Sequence, residues 1–580
     1  MRRTLQLLGL LACLQLAPWT RSADDVVAKI DVKVPLRDGV RLSTNIFLPD
    51  EKGFFPAILM RTPYGKGDAG NGGARAYARA GYAYLIQDTR GRGGSEGVFD
   101  PFMYEADDGY DAIEWTRKQA WSSGRIGMAG GSYVGFVQWE AAGRSPPGLI
   151  AICPMVTFSD FHSDTAYVGG AFQIALGLGW GAMVTQQPGE NIFARDWPRI
   201  LRTLPLTDYS KPLGRRIDFY DGWLAHPDDG EYWRRASVTE EYGNIRVCAL
   251  NMGNWYDIFA RATTENFRRM RKEAPTEEIR RSQRLIMGAG AHGPPGPQLG
   301  ERNFGEAAAV DLGTVERRWF DFWLKGEKNG VADEPPVRIF VMGVNRWRDE
   351  EDWPLARTRY TNWYLHSGGK ANTLNGDGVL DTTPNADEPA DVFRYDPNDP
   401  VPTAGGANLV FLPAGPFDQR KVEERADVLV YTSRPLEKPV EVTGPVILKL
   451  YAASSASDTD FTGKLVDVCP DGEAWNLTDG IVRARYRESR SRSELIEPGK
   501  VYEYTIDLWV TSNVFLEGHR IRLEVSSSNF PRFDRNPNTG HPFGKDGEIA
   551  TAEQKVHHGA VYPSHLILPV IPTGPAERRF

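Results

Sequence analysis

The chain has 580 residues, 41% hydrophobic and 25% charged, which is too long for a single core and too apolar for extended disorder. Its 68 Lys and Arg against 76 Asp and Glu leave a formal net charge of -8. No basic stripe stands out, so nucleic acid is not an expected partner.

Residues 1–22 read as an export leader. Arg2 and Arg3 precede an apolar run from Leu5 to Leu16, shorter than the roughly 20 residues that span a bilayer. Cleavage after Ser22 makes the protein secreted or periplasmic. Alternatively Cys13, preceded by Leu-Leu-Ala, is a lipid-attachment site that would hold the protein at a membrane. The later cysteines, Cys153, Cys248 and Cys469, suit neither a disulfide framework nor zinc and are expected to be free, buried thiols.

Residues 23–155 alternate between strand and helix patterns. Strands are expected over 30–34, 40–47, 56–61, 83–87 and 126–129. Helices are expected over 107–119 and 133–142, the latter stopped by Gly143. Over 156–240 strand runs disappear and the chain turns helical and aromatic, so this block is expected to be a cap inserted into the α/β unit. Strands resume at 245–252 and 284–287, completing a second part of that unit over 241–355. From 356 to 580 the texture is all-β, with alternation over 482–487, 502–510 and 520–525, as in a β-sandwich or a jelly roll. These parts make an α/β unit with a mostly parallel sheet, an inserted helical cap and a C-terminal β domain.

Chemistry centres on the run Gly130-Gly131-Ser132-Tyr133-Val134-Gly135. A strand, a Gly-rich turn and a helix are the setting of a nucleophile elbow, although here the glycine after the serine falls at 135 rather than 134. The same residues could form an ordinary Gly/Ser turn. A nucleophilic serine needs a base and an orienting carboxylate. Asp257 and His292 follow in the order found in α/β-hydrolases, each just after an expected strand, where such sheets collect their ligands.

Other patterns carry less. Gly91-Arg92-Gly93 lacks the later glycine of a dinucleotide loop, position 96 being Glu, and no phosphate-binding loop of the Walker type is present. No cofactor or metal is expected. Asp107 and Asp108 are neighbours on one helix and read as charges near its N-terminus. His557 and His558 read as a solvated loop, and Asn476-Leu477-Thr478 matches a glycosylation acceptor.

The elbow, the run Trp255-Tyr256-Asp257, Thr62-Pro63-Tyr64-Gly65-Lys66, the stretch 88–97 (DTRGRGGSEG) and the stretch 395–406 (YDPNDPVPTAGG) together resemble the CocE/NonD hydrolases, which are similar to serine-type X-Pro dipeptidyl-peptidases. The resemblance runs over nearly the whole chain after the leader and implies an α/β-hydrolase core with an inserted helical cap and a C-terminal all-β jelly-roll domain. It implies a serine hydrolase in which Ser132 attacks an ester or amide, His292 is the base and Asp257 orients it. It also implies an oxyanion hole made by the Tyr64 hydroxyl and the backbone N–H of Tyr133. Phe259, and with it Trp255, would line the pocket for an apolar acyl group. Two departures stand out: Gly288-Ala-Gly-Ala-His292 replaces the usual Gly-Pro-Trp context, and Asn254 stands where a glycine is usual. Members acting on α-amino-acid esters hold the substrate ammonium with carboxylates just after the triad aspartate, but this chain has Ile258, Phe259 and Ala260 there. The competing readings are an X-Pro dipeptidyl-peptidase and a catalytically silent ligand-binding protein.

Overall fold

The computed structural model describes residues 26–384 and 386–572; the leader and Cys13 lie outside them. Ten strands between Val27 and Glu350 form one sheet. Seven of them, Ala83–Asp88, Phe55–Thr62, Ser122–Gly131, Leu149–Met155, Cys248–Asn254, Arg284–Gly288 and Val337–Val341, lie side by side in that order and run parallel. Antiparallel strands extend both edges. The central strands are nearly continuous apolar runs because helices cover both faces, so alternation is absent where burial is two-sided. Helix Tyr133–Gly143 is buried at every position, the extreme case of that burial.

The block 156–240 is helical apart from a two-residue strand pair, Tyr167–Val168 with Ala171–Phe172. It opens with a π-helical turn, His162–Ala166, and contains helices Ile174–Val184 and Asp218–Ala225. Helix Ile174–Val184 carries glycines on several sides, and Gly179 packs directly on Phe411 of the C-terminal domain. Each mid-helix glycine costs about 1 kcal/mol in propensity, and close approach of neighbouring rings is what it permits here.

The C-terminal domain is an eleven-stranded, mostly antiparallel sheet. Strand Val440–Ser454 is shared, pairing with Tyr502–Phe515 on one edge and with Ala552–His557 and His565–Ile571 on the other. Trp509, with φ 67°, sits at a register shift in this pairing, so the alternation of 502–508 breaks there. The strand expected over 482–487 ends earlier: Ala474–Arg483 is the strand, and Ala484–Tyr486 tightens into a 3₁₀ turn. Cys153 and Cys248 are buried free thiols, whereas Cys469 is half-buried. No helix among the described residues is long and apolar enough to cross a membrane.

Candidate active site

Ser132 follows strand Ser122–Gly131 at φ 60°, ψ -127°, and opens the buried helix. A non-glycine residue in the left-handed region is strained by about 1–3 kcal/mol and persists only where its surroundings over-determine it. Here they do. The Ser132 N–H donates to the Met155 carbonyl at 2.9 Å, and the Thr157 hydroxyl donates to the Ser132 carbonyl at 2.7 Å. Buried Gln138 spans the two strands beneath, donating to the Gly130 carbonyl and accepting from the Cys153 N–H. A Cβ on Gly130 (φ 124°) would overlap Val134, and one on Gly135 would come 2.7 Å from Thr157. The displaced glycine is thus explained: Val134 packs over Gly130, and position 135 must be small to meet Thr157. Although Ser132 caps the helix, its side chain makes no capping hydrogen bond, which leaves the hydroxyl for other work.

Asp257 and His292 come together as their order suggests. The His292 Nδ1 and Asp257 Oδ2 lie 2.6 Å apart, with Asp257 fully buried and His292 13% exposed. The second carboxylate oxygen accepts from the Phe259 N–H at 2.8 Å, so the aspartate cannot rotate away from the ring. Asn254, which stands where a glycine is usual, braces the loop that carries His292. Its Nδ2 donates to the carbonyls of Ala291 and Gly293, at 2.7 and 2.6 Å, on either side of His292. Its side chain also fills the space that Cβ atoms on Gly288 and Gly290 would need. The asparagine and the glycine-rich run are therefore one device, which holds the histidine loop.

Ser132, Tyr64, Tyr133 and Phe259 open onto one cavity. His292 stands behind its wall, its ring edge-on to Phe259 at 5.6 Å. About half of the Tyr64 surface faces solvent, 49%, but its hydroxyl end is enclosed. That burial raises the phenol above its ordinary value, while hydrogen bonds with Trp180 and Ser132 and the charge of Arg92 pull it part-way back. Tyr133 is anchored from below: its hydroxyl donates to Glu105 at 2.6 Å and accepts from the Phe102 N–H. Glu105 in turn pairs with fully buried Arg61 at 2.7 Å. The backbone N–H of Tyr133 lies in the first helical turn, among the donors that an α-helix leaves without an internal acceptor, and the helix dipole adds to its pull on negative charge.

One expected pocket residue is elsewhere. Trp255 is buried against the C-terminal side, donating from Nε1 to the Phe340 carbonyl at 2.7 Å and packing on Trp353. Two positions from Asp257, it leaves the strand end in another direction and belongs to the core. The cavity is instead walled by Phe102, Phe158, Phe161, Trp180 and Trp223, with Leu409 entering from the C-terminal domain. Only the aromatic character of the cap hinted at them, because they converge from segments over 300 residues apart. His558 is also corrected: it is fully buried between Asp391 and Glu388, at 2.9 and 3.1 Å, partners some 170 residues away in sequence. Asn476 is 2% exposed and bonded to the backbone of 415 and 417, so no glycan is attached there. Asp108 pairs with Arg90 at 2.6 Å inside the fold, while Asp107 stays at the surface. Among the described residues, no group of three or more His, Cys, Asp or Glu side chains could hold a metal ion.

A sequence model of the X-Pro dipeptidyl-peptidase (S15 family) matches residues 38–294. That of the X-Pro dipeptidyl-peptidase C-terminal non-catalytic domain matches residues 329–567. Over 571 aligned residues, 93% of this chain and 98% of the relative, the chain is 42% identical to cocaine esterase of Rhodococcus sp. (strain MB1 Bresler). The chain belongs to the CocE/NonD hydrolases of the S15 family. Among solved structures it is similar to an aminopeptidase from the marine sediment archaeon Thaumarchaeota archaeon. There the TM-score is 0.82 and the identity 26%, over 97% of this chain and 99% of the other. It is similar as well to an α-amino acid ester hydrolase, with a TM-score of 0.81 and 27% identity over 96% and 99% of the two chains. Like its family, this CocE/NonD chain is a serine hydrolase of ester or amide bonds.

Proposed function

We propose that Ser132, His292 and Asp257 carry out acyl transfer on small-molecule esters with an apolar, preferably aromatic acyl group. The observation that carries this reading is Ser132 in its strained elbow at the wall of an aromatic cavity. In acylation the Ser132 oxygen bonds to the acyl carbon as His292 takes the hydroxyl proton, and the carbonyl π pair moves onto oxygen. The Tyr64 hydroxyl and the Tyr133 N–H receive that oxyanion. Collapse restores the carbonyl and breaks the bond to the leaving group, which leaves with the proton from His292. A water molecule, deprotonated by His292, then repeats the sequence and frees the acid. Asp257 holds the imidazole in the tautomer and orientation this needs.

Esters are favoured over X-Pro peptides by the residues just past Asp257. Ile258, Phe259 and Ala260 are all buried and apolar, which offers no carboxylate to a free amino terminus there. The likeness to cocaine esterase supports an aromatic acyl group, and the ring-lined cavity suits one. We also propose that residues 1–22 direct export to the periplasm or the medium.

The test is intact mass after exposure to a fluorophosphonate. One adduct is expected on the native protein, none on Ser132→Ala, and a much slower one on His292→Ala. A native protein that takes no adduct would overturn the assignment. Comparing 4-nitrophenyl benzoate with an X-Pro 4-nitroanilide then tests the substrate class. Turnover of the anilide without the ester would replace the esterase reading by the peptidase one.

A further inference from the structure

Tyr64 receives a hydrogen bond from a residue outside its own domain part. The indole Nε1 of Trp180, on the cap helix Ile174–Val184, lies 3.1 Å from the Tyr64 hydroxyl oxygen. An indole N–H can only donate, so the phenol must be the acceptor here. Its own hydrogen therefore cannot point at Trp180 and is left for the cavity that Ser132 also lines. A hydroxyl that accepts one bond becomes a better donor in the next. The indole is itself immobile: 8% exposed, it lies nearly parallel to the Tyr133 ring and to Trp223. Its helix is pinned where Gly179 meets Phe411. Arg92, from the stretch 88–97, steadies the other side of Tyr64. Its Nε donates to the Pro63 carbonyl at 2.8 Å, and its charge favours a negative charge nearby.

We propose that Trp180 is a positioning residue for the oxyanion hole: its N–H commits the Tyr64 hydroxyl to the reacting oxygen, so the cap completes the catalytic apparatus as well as walling the pocket. This rests on Tyr64 serving as an oxyanion donor.

A double-mutant cycle tests it, with Tyr64→Phe, Trp180→Phe and the double variant assayed on 4-nitrophenyl acetate, whose acyl group is too small to need the aromatic wall. Fluorophosphonate titration sets the concentration of competent sites, so misfolded copies do not count. Tyr64→Phe is expected to lower kcat about 100- to 1,000-fold. Trp180→Phe is expected to lower it about tenfold, the worth of one hydrogen bond, with KM within about threefold. In the Tyr64→Phe background the second change is expected to cost nothing further. Replacing the Trp180 indole by benzothiophene through amber suppression keeps the bicyclic shape, removes only the N–H, and is expected to reproduce the tenfold loss. Equal losses in both backgrounds, or full activity with benzothiophene, would reduce Trp180 to packing. An unchanged kcat in Tyr64→Phe would instead remove the oxyanion assignment itself, and this proposal with it.

Discussion

Two histidine–aspartate pairs of this molecule differ in everything around them. At the end of the parallel sheet, His292 touches Asp257 and packs against Phe259, which shares a cavity with Ser132. Inside the C-terminal domain, Ser367 donates to Asp391 at 2.7 Å, Asp391 lies 2.9 Å from His558, and Ser367 stands 3.4 Å from the same imidazole. The residue types match, yet the arrangements differ in every feature that chemistry requires. In the second set the aspartate lies between the other two, so the serine proton is already committed to a carboxylate. Both ring nitrogens of His558 face carboxylates, whereas His292 has one so engaged. His558 and Asp391 are fully buried, and Tyr431 closes the remaining side of Asp391. Ser132, by contrast, borders a cavity on strained backbone. The same three side chains fasten a fold when every polar atom is satisfied internally, and act on a substrate when one donor, one acceptor and an open volume are left over.

Substitutions can break this contrast in order of expected effect. Ser132→Ala is expected to lower kcat about a million-fold, while Ser367→Ala leaves kcat within about twofold and lowers only the urea midpoint; equal losses would erase the distinction. Asp257→Asn is expected to cost about 10,000-fold in kcat with little loss of stability, because the tautomer is wrong while the packing survives. Asp391→Asn is expected to do the reverse, costing about 3–5 kcal/mol of stability by removing one member of a buried ionic set and leaving kcat intact.

The pH dependence of that last loss has a definite sign. Burial pushes the Asp391 carboxyl up, but bonds from His558, the Ala371 N–H, Ser367 and Tyr431 outweigh it and leave the value below the ordinary 3.8. A carboxylate depressed on folding adds stability above its unfolded value and loses it as pH falls through its folded one. The gap between native protein and Asp391→Asn should therefore be widest at neutral pH and close below about 3.8, as read by urea midpoints across pH. A gap that widens on acidification would reverse the assignment. Smallest of all, Trp255→Phe is expected to cost about 1–2 kcal/mol through its lost bond to Phe340 and to leave KM for benzoyl esters unchanged. Phe259→Ala should raise that KM.

Much of the catalytic end is legible in the sequence because its signals are local. The elbow is one strand, one turn and one helix within about twenty residues, and Asp257 and His292 come after strands whose apolar runs are plain. The aromatic wall, the Trp180 bond to Tyr64 and the brace from Asn254 are not legible, since each joins residues whose separation in sequence carries no pattern. Trp255 escapes a sequence reading for a related reason: neighbours in sequence just past a strand end diverge in direction, so proximity to Asp257 says nothing of which cavity it enters. His558 reads as solvated because its partners lie far off along the chain.

What the amino-acid order determined by itself is therefore what periodicity and steric necessity dictate at short range: the order of strands and helices, the α/β and all-β halves, and glycines at 130 and 135 where a Cβ has no room. Which histidine has one ring nitrogen against a carboxylate and which has both, and which tryptophan lines the pocket, were decided only when the cap and the C-terminal domain closed around the sheet. Burial and hydrogen-bond satisfaction are properties of the assembled surroundings, and no single segment contains them.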